Sequence, residues 1–173
     1  MNRNVLRHEC EPAYAFLMAP LRILHVEDDP DDAFFFSRAM KNAVPECELH
    51  RELTGEGAIE YLRKASLSAP TAEMPLHLMA LDLKLPGLSG FEVLSWTRAQ
   101  DGLKKLPIII LSGSSLVLDK SKASELGASE FIVKNSDYDQ IAEQVVQFIS
   151  RHGRLESNAP AEILNSPQPR IND

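Results

Sequence analysis

Strand-like apolar runs alternate with helical patterns five times between residues 21 and 153, and this alternation limits the chain to few architectures. The runs are residues 21–26, 47–53, 76–82, 106–111 and 129–133. Strands separated by helices pair in parallel, because a parallel pair needs a long crossover and a helix supplies it. The third and fourth runs, LHLMALD and LPIIIL, are apolar almost throughout, as strands covered on both faces must be. They are expected at the centre of the sheet, and the fold class is α/β, doubly wound.

The intervening segments carry helical spacing. Residues 31–42 put Phe35, Ala39 and Ala43, or Phe36 and Met40, on one face, while residues 57–64 group Ala58, Ile59 and Leu62. Ser89 is placed to cap a helix bearing Phe91, Val93, Leu94 and Trp96, and Gly127 to close one containing Ala123 and Leu126. The last helix is expected over 138–152, burying Ile141, Val145, Phe148 and Ile149, with Gly153 ending it. Three aromatics in a row, Phe34, Phe35 and Phe36, cannot all face inward on a helix. Residues 66–75 form a polar connection with two prolines, residues 1–20 an N-terminal extension expected to be mobile, and 154–173 a tail expected to be disordered. Translation starting at Met18 would account for the extension. The domain proper is then 21–153.

Composition excludes several classes. A chain of 173 residues with 44% hydrophobic and 25% charged residues can bury one ordinary core, and no apolar stretch approaches a membrane span. A net charge of -7 argues against nucleic acid, which needs a basic face. Cys10 and Cys47 form no CxxC or His/Cys cluster, so neither a disulfide framework nor a zinc site is indicated and a reducing cytoplasm is the expected setting. The N-terminal apolar part is short and interrupted by Glu9, Glu11 and Pro12, unlike a secretory signal.

In a doubly wound sheet, ligands bind at the carboxyl ends of the strands. Those ends carry Glu27 and Asp28 after strand one, Asp82 and Lys84 after strand three, Ser112 after strand four and Lys134 after strand five. Each has a plain alternative: residues 27–32 can be a solvated acidic helix start, Lys134 a surface lysine, Ser112 a turn hydroxyl, and Phe131 a core residue. Asp82 resists that treatment, since a carboxylate closing an apolar central strand needs a reason for its desolvation. His25 reads as a structural strand residue. Carboxylates, a hydroxyl and an amine therefore converge on one sheet edge.

These four strand ends, in this order, resemble the receiver domain of response regulators in two-component signalling, over residues 21–153. The resemblance implies a flavodoxin-like (βα)5 three-layer sandwich with strand order 2-1-3-4-5. It implies phosphorylation of Asp82 by a histidine kinase, Mg²⁺ bound by Asp28, Asp82 and the Lys84 backbone carbonyl with Glu27 acting through water, and a readout by Ser112, Lys134 and the switch aromatic Phe131. The output is implied to be a remodelled α4–β5–α5 surface. With 20 residues after Gly153, no attached output domain is expected, and the signal passes to an unknown downstream protein. Asn135 replaces the usual proline after the lysine, so a trans peptide is expected there. That departure, Ser112 in place of threonine, the long loop at 66–75 and the LSGS strand end resemble receivers paired with bacterial phytochromes. Rival readings are a degenerate receiver acting as a scaffold and an aspartate-based phosphohydrolase, which would need a second aspartate where Lys84 stands. Leu116, Val117, Leu118 and an off-stripe Val146 lead to an expected homodimer through the α4–β5–α5 face.

Overall fold

The computed structural model describes residues 20–67 and 76–152. The elements alternate without exception: β1 (Arg22–Val26), α1 (Pro30–Ala43), β2 (Glu48–Glu52), α2 (Gly55–Leu67), β3 (Leu78–Leu81), α3 (Gly90–Ala99), β4 (Ile108–Ser112), α4 (Val117–Glu125), β5 (Glu130–Val133) and α5 (Tyr138–His152). A 3₁₀ turn at Asp101–Leu103 follows α3. All five strands are parallel, in the order β2-β1-β3-β4-β5. The expected fold and strand order are both present. The expectations for the N-terminal extension, the loop after α2, the residue that ends α5 and the tail rest on residues 1–19, 68–75 and 153–173, outside the described ones.

Strand side chains alternate between faces, and the central strands divide the core accordingly. In β3, Leu78 and Ala80 join Ile23, Ile109 and Leu111 under α1 and α5, while Met79 and Leu81 join Leu24, Ile108 and Ile110 under α2, α3 and α4. Every residue of β3 and β4 is buried. That is why those two runs lack the polar alternation of β2, which lies at the sheet edge and reads ELHRE.

Helix ends are specified locally. The Asp29 carboxylate caps α1, accepting from the N–H groups of Asp31 at 2.8 Å and Asp32 at 3.0 Å, and Pro30 starts the first turn. Glu92 Oε2 accepts from the Ser89 N–H and hydroxyl at the start of α3, at 2.9 and 2.7 Å. Gly127 follows α4 at φ 90°, a left-handed conformation that ends the helix.

The phenylalanine run resolves into one inward ring. Phe36, Ala39 and Met40 are buried, Phe34 is 61% exposed and Phe35 44%. Ala43 is exposed, so the inward face is the one carrying Phe36 and Met40. On α5, Ile141, Val145 and Phe148 are buried as expected, but Ile149 is only partly covered. Val146, expected to stand off the stripe, packs partly buried against the same core.

Phe36→Ala should destabilise the chain by about 3–5 kcal/mol, as for other buried phenylalanines. Phe34→Ala should change it by less than about 0.5 kcal/mol, as for exposed positions. Urea denaturation of the two variants checks the assignment; equal losses would contradict it.

Candidate functional site

The register of the sheet carries four chain segments to one edge. Asp82 follows β3 directly, its N–H donating to the Val26 carbonyl at 3.0 Å, and Glu27 follows β1, its N–H donating to the Glu52 carbonyl at 2.9 Å. Lys134 follows β5, its N–H donating to the Ser112 carbonyl at 2.9 Å. Glycine at position 90 allows α3 to begin against this edge, since a Cβ there would lie 2.1 Å from the Asp82 carbonyl oxygen.

Lys134 organises the side chains. Its ammonium donates to Glu27 Oε2, to Asp82 Oδ2 at 2.9 Å and to Asp32 Oδ2 at 2.9 Å, with the lysine side chain only 11% exposed. The second Asp82 oxygen accepts from the Lys84 N–H at 3.2 Å, and the second Glu27 oxygen from the Asp29 N–H at 3.2 Å. Asp32 Oδ1 accepts from the Tyr138 hydroxyl. Burial alone would weaken protonation of Lys134, but the hydrogen bonds and charges of its carboxylates prevail and its pKa lies above the ordinary lysine value. Burial pushes Glu27 above the usual carboxylate range in spite of that ammonium.

The oxygens of Glu27, Asp28 and Asp82 lie within 4.8 Å of one another, and Asp28 opens the group to solvent. A cluster of hard anionic oxygens with one exposed member fits a divalent cation of the Mg²⁺ type. The expected site residues therefore gather as Glu27, Asp28, Asp82 and Lys134. Lys84 is exposed beside them on the β3–α3 loop. Ser112 closes β4 fully buried, and its Oγ accepts from the Ser114 N–H at 3.2 Å. Phe131 stands apart in β5, partly buried, with Lys120 Nζ 5.7 Å from its ring centre.

Three participants were not singled out from the sequence. Arg51 on β2 donates to the carbonyls of Glu27 and Asp28, both at 2.9 Å, and so fixes the loop that carries the acidic pair. Asp32 and Tyr138 complete the surroundings of Lys134. Nothing in their spacing distinguishes them from ordinary helix-start residues. Both readings of the acidic run are partly right, since Asp29 caps the helix while Glu27 and Asp32 turn to the site. His25 is structural as expected: it is buried, its ring centre 4.5 Å from that of Phe36, and desolvation lowers its pKa to about 3. Asn135 forms no cis peptide and organises the start of α5 instead, its Oδ1 accepting from the Asp137 N–H at 2.9 Å.

Residues 23–146 match the family described as response regulator receiver domain. The chain belongs to that family. Receivers act in two-component systems. One relative of this receiver is the two-component response regulator ARR17 of Arabidopsis thaliana, 29% identical over 117 residues, with 66% of this chain and 75% of the relative covered. Another, from Vibrio cholerae, is named "Probable cyclic di-GMP phosphodiesterase" and is 30% identical over 112 residues. That alignment covers 65% of the receiver chain but 23% of the relative. Among solved structures, the phosphorylated cyanobacterial phytochrome response regulator RcpA is similar at a TM-score of 0.64 and 29% identity, covering 78% of this chain and 94% of that one. The Mn²⁺-bound response regulator Rcp1 is similar at 0.63 and 25%, covering 80% and 98%. Among the described residues, no helix is long and apolar enough to cross a membrane.

Replacing Lys134 by methionine should leave its buried carboxylates without a counter-charge and destabilise the receiver by about 3–5 kcal/mol in the presence of a chelator. Added Mg²⁺ should return part of that loss. Urea denaturation with and without the cation reads both effects, and a variant as stable as the native chain would contradict the arrangement.

Proposed function

We propose that this receiver accepts a phosphoryl group on Asp82 from a histidine kinase. The observation carrying the reading is the position of Asp82: a buried carboxylate at the end of a central strand, 2.9 Å from a lysine ammonium and adjoining Glu27 and Asp28. Few other reactions need an aspartate so placed. An Asp82 oxygen attacks phosphorus, and the bond between phosphorus and the donor's imidazole nitrogen breaks. The imidazole leaves with the bonding pair and takes up a proton, leaving an aspartyl phosphate.

Glu27, Asp28, Asp82 and the Lys84 carbonyl would hold Mg²⁺, which supplies charge neutralisation for the phosphoryl oxygens. Lys134 offers a compact ammonium to one phosphoryl oxygen, and the Ser112 hydroxyl turns to donate to another. As Ser112 turns, Phe131 rotates inward and the α4–β5–α5 face changes shape. Leu116, Val117 and Leu118 at the start of that face are 63%, 76% and 81% exposed, which supports a surface made for a partner. A second copy of the chain is the proposed occupant, formed on phosphorylation. The likeness to RcpA supports a phytochrome-type kinase as the donor. Residues 21–153 are the proposed functional unit, and the cytoplasm its proposed setting.

Incubation with acetyl phosphate and Mg²⁺, read by intact mass, tests the reading. The native chain should gain one base-labile phosphoryl group and Asp82→Asn none; equal labelling of the variant would overturn the assignment. Sedimentation of the same samples should show a dimer in the labelled native chain, weakened by Leu116→Glu. A monomer throughout would remove the dimer.

A further inference from the structure

Asp32 and Tyr138 have no part in the chemistry above, yet Asp32 accepts from Lys134 and Tyr138 donates to Asp32. Of the three carboxylates that accept from Lys134, Asp82 is the group to be phosphorylated and Glu27 belongs to the cation cluster. Asp32 belongs to neither. It projects from the first turn of α1, with Oδ2 2.9 Å from Lys134 Nζ and Oδ1 accepting from the Tyr138 hydroxyl. Tyr138 in turn begins α5, and its ring stacks on Phe35 of α1 with centres 5.7 Å apart and planes at 27°. The ammonium is thereby tied through two side chains to the packed seam between the first and last helices.

The plain alternative is that Asp32 is one more acid at a helix start, favoured by the helix dipole. Its neighbour Asp31 fits that description, being exposed, with its N–H given to the Asp29 cap. Asp32 differs in having both oxygens engaged by side chains from the other end of the domain. A carboxylate held at both oxygens cannot rotate freely. Burial would make Asp32 harder to ionise, but the Tyr138 hydrogen bond and the Lys134 charge prevail and hold it below the ordinary aspartate value. It is an anion at neutral pH, where the lysine is a cation.

We propose that Asp32 and Tyr138 are positioning residues for phosphoryl acceptance: Asp32 anchors the Lys134 ammonium beside Asp82, and Tyr138 holds the Asp32 carboxylate in place. The inference rests on the reading of Asp82 as phosphoryl acceptor and adds two residues to it. An anchor is needed because the other two partners change during the reaction. Once the aspartyl phosphate forms, the negative charge at Asp82 moves outward onto the phosphoryl oxygens, and Glu27 would share its charge with the cation it helps to hold. A lysine on a flexible four-carbon stem must follow that charge and has many conformations open to it. Asp32 keeps its charge and its place, so the ammonium remains within reach of the phosphoryl oxygens without reordering the stem.

The experiment uses the full chain with acetyl phosphate and Mg²⁺, following labelling by intact mass. Asp32→Asn should slow labelling about tenfold and Tyr138→Phe about threefold, the scale of coupling inside one ion-pair network, and Asp32→Glu should recover part of the loss. In a Lys134→Ala background, Asp32→Asn should have no further effect. A second readout needs no phosphoryl donor: acylation of Lys134 by a small amine-reactive reagent, mapped by peptide mass, should be faster in Asp32→Asn and Tyr138→Phe than in the native chain. Slowing by Asp32→Asn that is the same with and without Lys134, or unchanged acylation of Lys134, would overturn the inference and leave Asp82 as acceptor. A native chain that takes up no phosphoryl group would overturn both.

Discussion

The ion pairs made by Lys134 hold the site together. One ammonium meets carboxylates from the end of β1, the first turn of α1 and the end of β3, and it reaches them from the end of β5. Without it, Glu27, Asp32 and Asp82 would crowd negative charge into a poorly hydrated edge, where each carboxylate disfavours ionisation of the next. With it, an excess of negative charge remains that a divalent cation can complete. Apolar side chains of similar volume would often serve stability as well or better in these places, so the cluster points to a functional site.

The sheet makes this meeting of distant residues inexpensive in conformational terms. Parallel pairing of β1 with β3, β3 with β4 and β4 with β5 brings all carboxyl ends to one side, so each functional residue needs only to follow its strand. Backbone hydrogen bonds continue the ladder for one residue past the assigned strands at Asp82 and Lys134. Their Cα positions are therefore set by the core. Arg51 fixes the loop of Glu27 and Asp28 by its hydrogen bonds to their carbonyls, and the bare Cα of Gly90 lets α3 start against Asp82. The rigid part of the site comes from backbone.

The fold was legible in the sequence because apolar runs of strand length and amphipathic runs of helix length alternate, and a parallel sheet is the arrangement that satisfies them. The gathering of Glu27, Asp28, Asp82 and Lys134 was legible for the same reason, since residues at strand ends converge whatever separates them in the chain. Asp32 and Tyr138 were not, because they lie inside helical turns and periodicity gives no sign of which distant side chain an acid or a phenol will face. Phe34, Phe35 and Phe36 show the same limit: spacing permits two inward faces, and only packing against α5 and the sheet selects Phe36. Val146 packs against the core although it stands off the stripe, because a stripe read from one helix does not show which elements flank it. The roles proposed for Ser112 and Phe131 require a second arrangement of the same residues.

If Asp82 is the acceptor, the carboxylate beneath Lys134 takes the phosphoryl group and none of its acidic neighbours does. Reduction of the labelled chain with borohydride converts a phosphorylated aspartate to homoserine, and peptide sequencing by mass then finds its position. Homoserine should appear at position 82 alone. Homoserine at position 28 or 32, or none after stable labelling, would contradict it.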